Sequence, residues 1–210
     1  MKAPIHWLWL LLCLLPLPAI AAPPLTILVL GDSLTAGYGL AGDEAFPAQL
    51  ERTLLDQGHP ARVINAGISG DTSAGGAARL EWALADDPDL VIVALGANDA
   101  LRGLDPEQTY ANLSTIINRL QQRDITVILA GMLAPRNMGE AYYNRFDKIY
   151  PALAQEFAVQ LYPFFLEGVA GKPELNLRDG IHPNAAGVKI MVDGLLPLVI
   201  AELEHSAATP

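Results

Sequence analysis

Five short apolar runs, each followed by a stretch of helical periodicity, constrain the fold of this 210-residue chain more than any other feature. Residues 25–30, 61–64, 90–95, 125–130 and, more weakly, 159–162 are aliphatic and β-branched, with almost no polar alternation. Near-continuous apolar strands of this kind belong to parallel sheets covered by helices on both faces. Residues 46–56, 76–84, 106–122, 141–157 and 184–204 instead carry apolar side chains three and four positions apart, as in Leu113, Ile116, Ile117 and Leu120. Asp105-Pro106 adds a cap and a first-turn proline to the third of these. The alternation predicts an α/β fold, a doubly wound three-layer α/β/α sandwich. No repeat, low-complexity tract or linker divides residues 22–210, so one domain is expected.

The amino terminus reads differently. Lys2 and His6 precede an apolar run over residues 7–17, followed by Pro18 and Ala19-Ile20-Ala21. A basic start, a short apolar stretch and a small-x-small end predict a secretory signal peptide over residues 1–21, removed after Ala21. The stretch 8–15, closed by Pro16, is too short to span a bilayer. Leu12 is bulky where a lipoprotein cleavage site before Cys13 needs a small residue. An exported product, periplasmic or secreted, is therefore expected, without a membrane span and by default monomeric. Cys13 is the only cysteine, so the mature chain would carry no disulfide, thiol nucleophile or thiolate metal ligand. Acids outnumber bases 23 to 13, a net charge of −10. That balance disfavours phosphate-backbone binding to nucleic acid and attraction to anionic membranes. Small, neutral or cationic partners remain.

In doubly wound sheets, ligands bind beyond the carboxyl ends of the strands. Gly31-Asp32-Ser33-Leu34-Thr35 follows the first run and Asn65-Ala66-Gly67-Ile68-Ser69-Gly70-Asp71 the second. Gly96-Ala97-Asn98-Asp99 follows the third, and Asp179-Gly180-Ile181-His182-Pro183 comes late in the chain. Each alone reads as a turn or helix cap. Together they hold the parts of an acyl-transfer site. A serine needs a base to take its proton, and His182 is the best placed. His6 leaves with the signal, His59 enters the second strand at the opposite end of the sheet, and His205 is near the terminus. Asp179, three residues before His182 across a turn eased by Gly180, can fix the tautomer of the imidazole. The amides of Ser33 and Gly70 and the side-chain NH₂ of Asn98 are uncharged donors suited to an oxyanion. Asp32, Asp71 and Asp99 have no fixed short spacing from His182 and read as caps or loop organisers.

Gly-Asp-Ser-Leu, the following glycine block, Gly-x-Asn-Asp and the late Asp-x-x-His resemble the SGNH (GDSL) hydrolase superfamily, in order and across essentially the whole mature chain. Asn65, Gly70-Asp71-Thr72-Ser73 and Pro163-Phe164-Phe165 look closest to bacterial thioesterase I/lysophospholipase L1 and periplasmic arylesterases. The resemblance implies a flavodoxin-like sheet of order 2-1-3-4-5, Ser33 as nucleophile, Asp179 and His182 as its triad partners, and Ser33, Gly70 and Asn98 as the oxyanion hole. It also implies carboxylic esters as substrates, with thioesters and lysophospholipids as further candidates. One departure is Gly67, where similar proteins often carry serine; a looser loop is expected there.

Several other patterns lead elsewhere. Gly37-Tyr38-Gly39-Leu40-Ala41-Gly42 matches a dinucleotide fingerprint, but it begins six residues past Gly31 and not at a strand-to-helix turn. No Gly-x-Ser-x-Gly elbow is present, because Thr35 occupies its last position, which disfavours the α/β-hydrolase fold. No His-x-His or His-Glu-x-x-His motif is present, so no metal is expected, and serine-based acyl transfer needs no cofactor. Leu101, Met138, Tyr142 and Ile181, with Met132, are expected to line an acyl pocket, because the loops after the third and fourth strands should border the site. Phe157, Tyr162, Phe164 and Phe165 are read as core. Two alternatives stand beside the esterase: a carbohydrate O-deacetylase on the same fold, and a non-catalytic acyl- or carbohydrate-binding module. The deacetylase expects aromatic sugar platforms, yet Trp7 and Trp9 lie in the signal and Trp82 on a helix.

Overall fold

The five apolar runs pair side by side as parallel strands in the computed structural model, which describes residues 24–208. The expected signal segment, with Cys13, Trp7 and Trp9, lies outside the described residues. Strands β1 (Leu25–Gly31), β2 (Ala61–Gly67), β3 (Leu90–Ala94), β4 (Thr126–Ala130) and β5 (Gln160–Tyr162) form one sheet of order β2-β1-β3-β4-β5. In register, Gly31 lies opposite Gly67 on one side and Ala94 on the other, so three chains leave the sheet together at its carboxyl edge. Burial on both faces holds for the central strands β1, β3 and β4. β2 and β5 are edge strands and stay partly exposed.

The crossovers are helices α2 (Phe46–Asp56), α3 (Ser73–Ala83), α5 (Pro106–Gln121) and α7 (Ile149–Phe157), and α8 (Ala185–Ala208) closes the chain. α2 packs on α8, while α3 packs on α5 and α5 on α7. Right-handed crossovers put these two groups on opposite faces of the sheet, since only the β1-to-β2 connection runs toward the β2 edge. Ile27, Leu30, Ile92, Ile128, Leu113 and Leu195 are fully buried between the layers.

Three departures from the periodicity have local causes. The expected helix over 141–157 is two helices, α6 (Glu140–Phe146) and α7. Pro151 has no N–H to donate and its ring would crowd the carbonyl of Asp147, so the helix breaks before it. α3 begins at Ser73, three residues earlier than its apolar spacing suggests, because the Thr72 hydroxyl caps it by accepting from Gly75 N at 3.2 Å. α8 runs to Ala208, four residues beyond the 204 at which its apolar spacing ends. Two short helices, α1 (Ser33–Ala36) and α4 (Ala97–Leu101), follow β1 and β3 and have too few residues to register as periodic.

Candidate active site

β1 ends at Gly31, where nothing larger fits. A Cβ there would lie 2.3 Å from Thr35 Oγ1 and 3.0 Å from the Ala94 carbonyl. Gly67 is equally tight: a Cβ would lie 2.5 Å from Ala36 N. The glycine at 67 therefore lets α1 close down on the sheet, and its amide is held by Asn65 Oδ1 at 2.9 Å, the opposite of the loosening expected. Asp32 turns the chain from strand to helix, its Oδ1 accepting from Leu34 N at 3.0 Å. Ser33 is the first residue of α1, where backbone N–H groups have no intrahelical acceptor. The dinucleotide-like glycines do other work: Gly37, at φ 84°, ends α1.

His182 reaches Ser33 from 149 positions away, with Nε2 2.9 Å from Ser33 Oγ. Its Nδ1 lies 2.8 Å from Asp179 Oδ2. Asp179 Oδ1 accepts from Ile181 N and His182 N, both at 3.0 Å. These bonds and the imidazole, the Ile181 amide foremost, lower the Asp179 carboxyl to about 2. An ionised carboxylate only accepts, so Nδ1 carries the hydrogen and a neutral ring leaves Nε2 free to accept from the serine hydroxyl. The loop is pinned at both ends. Leu177 N donates to the His182 carbonyl at 2.7 Å, and Gly180, at φ 74°, makes the turn between. Asn184 then caps α8, accepting from Ala186 N and Gly187 N at 3.0 Å.

Gly70, exposed and at φ 84°, follows β2 in a turn closed by Asp71 N on the Ile68 carbonyl. Arg102 Nη2 donates to the Gly70 carbonyl at 2.7 Å. Arg79 ties this turn to the end of β1, with Nε on Asp71 Oδ2 at 2.7 Å and Nη2 on the Gly31 carbonyl at 3.0 Å. Asn98, on α4, donates from Nδ2 to Asp32 Oδ2 at 3.1 Å, which leaves the second hydrogen of that nitrogen for another acceptor. Burial pushes the Asp32 carboxyl up to about 6 against the opposing pull of these hydrogen bonds. Asp99, also buried, accepts from Ser73 N at 2.8 Å and from the Ser73 and Thr109 hydroxyls, joining the starts of α3, α4 and α5. All three rival acids are thus bound up in caps and loops. A serine hydrogen-bonded through an imidazole to an ionised carboxylate, with Asn98 on the same cavity wall, is an arrangement that can attack an acyl carbonyl.

A family model described as the GDSL-like lipase/acylhydrolase family matches residues 29–190, which contain every group just described. The chain belongs to that family. Among curated proteins, this GDSL-like hydrolase is 42% identical to the thioesterase 1/protease 1/lysophospholipase L1 of Escherichia coli K12 over 96% of its own length and 95% of that protein. It is 42% identical to the esterase TesA of Pseudomonas aeruginosa, over 82% and 86% of the two chains. It is 46% identical to an arylesterase of Vibrio mimicus, over 75% and 79%. The crystal structure of TesA superposes with a TM-score of 0.79, covering 83% of this chain and 97% of that one. The GDSL-like hydrolase is accordingly an enzyme acting on ester bonds.

A cavity of about 610 Å³ opens beside Ser33, Asn98 and His182. Of the side chains expected to line it, Leu101 and Ile181 do so, with Met132. Met138 and Tyr142 do not belong to that lining. The Tyr142 hydroxyl donates to the Leu104 carbonyl at 2.9 Å, with the Asp99 carbonyl 3.3 Å away as a second acceptor for the same hydrogen, bracing the loop after α4 from outside. Met138 packs near Gly103 in the same loop. Phe165 is core as expected, whereas its neighbour Phe164 is half-buried and faces the cavity with Leu133 and Leu166. Sequence reading also missed Arg79 and the second role of Asp32. An arginine on α3 eight residues after Asp71 was a local signal for the first; nothing local pointed from Asp32 to Asn98. Among the described residues, no cluster of three or more His, Cys, Asp or Glu is arranged to hold a metal, and no helix is long and apolar enough to cross a membrane.

Proposed function

We propose that this GDSL-like hydrolase is an exported serine esterase in which Ser33 attacks the acyl carbonyl, His182 takes and returns the proton, and Asp179 holds the imidazole. The oxyanion is received by the amides of Ser33 and Gly70 and by Asn98. The observation that carries this reading is the continuous array Asp179–His182–Ser33 at 2.8 and 2.9 Å, with Asp179 ionised down to about 2. Attack gives an acyl-serine and an alcohol or thiol protonated by His182; water, deprotonated by the same imidazole, then releases the acid. No cofactor enters this scheme.

The cavity supports a substrate with an apolar acyl part. Its walls are mainly aliphatic, and its volume suits a chain or a ring rather than a polymer. Phe164 is the aromatic carbon ring among its walls, and Trp82 stands exposed on α3 outside it, so the sugar platforms of a polysaccharide deacetylase are missing there. Thioesters and lysophospholipids fit the same acyl site, in keeping with the activities in the name of the Escherichia coli relative. Export rests on residues 1–21, whose basic, apolar and small-residue segments follow the signal-peptide order.

One experiment addresses both parts. The full chain is expressed in a bacterial host, and the periplasmic product is treated with an alkyl fluorophosphonate and analysed by mass spectrometry. The expected product starts at Ala22 and carries one phosphonyl group on Ser33. Ser33→Ala should remain folded and unlabelled and lose about 10⁴-fold or more in kcat on p-nitrophenyl butyrate. A variant that keeps its turnover would sink the serine mechanism, and an uncleaved cytoplasmic product would sink export.

A further inference from the structure

The turn that carries Ser33 also carries an aromatic ring that the proposed mechanism does not use. Immediately after α1 ends at Gly37, Tyr38 N donates to the Ser33 carbonyl at 3.3 Å, so its place is set relative to the nucleophile itself. Its ring lies against His182, with centroids 4.4 Å apart and planes inclined by 34°. Half of the residue, 50%, is open to solvent. A large aromatic side chain left this exposed beside a reacting imidazole presents an unused apolar face.

Geometry restricts what that face meets. In an ester bound at Ser33, the acyl group and the leaving group depart from the carbonyl carbon along different bonds. The apolar cavity beside Ser33 takes the acyl group, and Tyr38 is not part of its lining. The leaving oxygen must come within hydrogen-bond reach of His182 Nε2 to be protonated. Whatever is attached to that oxygen therefore emerges next to the imidazole and outside the cavity, where Tyr38 stands. A flat aromatic group there gains offset or edge-to-face contact with the phenol ring, while a short alkyl group covers little of it.

We propose that Tyr38 is a specificity-determining residue, the platform on which the leaving group rests, and that it favours aryl over alkyl esters. The inference rests on the serine mechanism above. Its test is the ratio of kcat/KM for phenyl and 2-naphthyl butyrate to that for ethyl and butyl butyrate, followed by pH-stat. The acyl group is constant, so comparing each variant with wild type cancels intrinsic leaving-group reactivity, and kcat/KM covers the steps through leaving-group departure. Tyr38→Ala should lower the aryl-to-alkyl ratio about three- to tenfold, the size of one aromatic contact. Tyr38→Phe, which keeps the ring, should retain the ratio. Tyr38→Leu serves if the alanine variant does not fold, and should lower the ratio in the same direction. Equal losses on aryl and alkyl esters would mean that Tyr38 merely holds His182, and would overturn the proposal, as would an unchanged ratio in Tyr38→Ala. Ser33→Ala run alongside separates the two readings: turnover surviving in it overturns the serine mechanism, whatever the ratio.

Discussion

The two ends of the sheet both gather aspartates around a concavity, and they use them differently. At the amino end, Asp87, Asp89 and Asp124 border a polar hollow of about 450 Å³ with Arg123 and Thr126. All three are exposed. Asp87 and Asp124 occupy left-handed turns at φ 45° and 57°, and Asp89 accepts from Thr26 N at 2.7 Å. At the carboxyl end, Asp32 and Asp99 are each 1% exposed, and each accepts from two or more donors on different segments. An exposed carboxylate can be exchanged for water when it is lost. A buried one leaves its donors orphaned in a region of low dielectric. The reactive end of the molecule is thus held by charges that cannot be removed singly, and the other end by charges that can.

The largest test of this contrast is Asp99→Ala. It strands Ser73 N and the Ser73 hydroxyl, both buried, and leaves the Thr109 hydroxyl only the Asp105 carbonyl at 3.4 Å. Urea denaturation should report a loss of about 3–5 kcal/mol, since each buried donor left without an acceptor costs about 1–3 kcal/mol. Asp99→Asn, which restores one acceptor, should recover part of it. A loss below about 1 kcal/mol in the alanine variant would place Asp99 with the exchangeable carboxylates and end the comparison.

What sequence reading could and could not reach follows the same division. Three loops of the site were legible because each must hold a particular residue type just past a strand end, and the fourth because Asp179 and His182 lie three positions apart; both signals are local. The three central strands were legible because burial on both faces leaves no polar alternation to confuse. Beyond Ser33 and His182, which their residue types mark out across 149 positions, contacts spanning the chain left no such trace. Asn98 meets Asp32 across 66 positions, and neither identity predicts the other. The pocket wall failed for a related reason. The chain after β4 is steered by Gly131, whose Cβ would lie 2.4 Å from the Pro163 carbonyl and whose amide bonds to Tyr162. That distant packing brings Phe164 to the cavity and leaves Met138 and Tyr142 aside. The break between α6 and α7 was written in Pro151, but the apolar spacing on either side of it is in phase and hides the interruption.

A second test turns on pH. The Asp32 carboxyl is raised by burial to about 6, above the value of 3.8 it has in an unfolded chain. The folded state therefore binds this proton more tightly than the unfolded one. The stabilisation is complete below about pH 4 and is lost as pH rises through 6. Asp179 runs the other way: lowered to about 2, it contributes above 3.8 and is lost only as pH falls through 2, so the two windows do not overlap. Asp32→Asn can still cap α1 but does not titrate. Its stability relative to wild type should rise between pH 4 and 7 by on the order of 2–3 kcal/mol, read from urea midpoints at each pH. A difference that stays constant across that range would mean that Asp32 ionises as freely in the fold as outside it, and burial would lose its part in the comparison.

The smallest effect belongs to the amino end. Asp87 sits at φ 45° after the turn that follows α3, with its amide on the Leu84 carbonyl at 3.1 Å. Glycine keeps that amide and removes the steric penalty of a side chain in the left-handed region, which is modest for aspartate. Against this, glycine widens the unfolded ensemble and so gives back part of the gain. Asp87→Gly should therefore change stability by less than about 1 kcal/mol, in the stabilising direction, a shift of a few degrees in thermal midpoint at this chain length. Since Asp87 lies at the opposite end of the sheet from Ser33, kcat/KM on p-nitrophenyl butyrate should stay at the wild-type value. Destabilisation by more than 1 kcal/mol would show that the exposed carboxylate is as hard to replace as the buried ones. A change in kcat/KM would show that the two ends of the sheet are not independent.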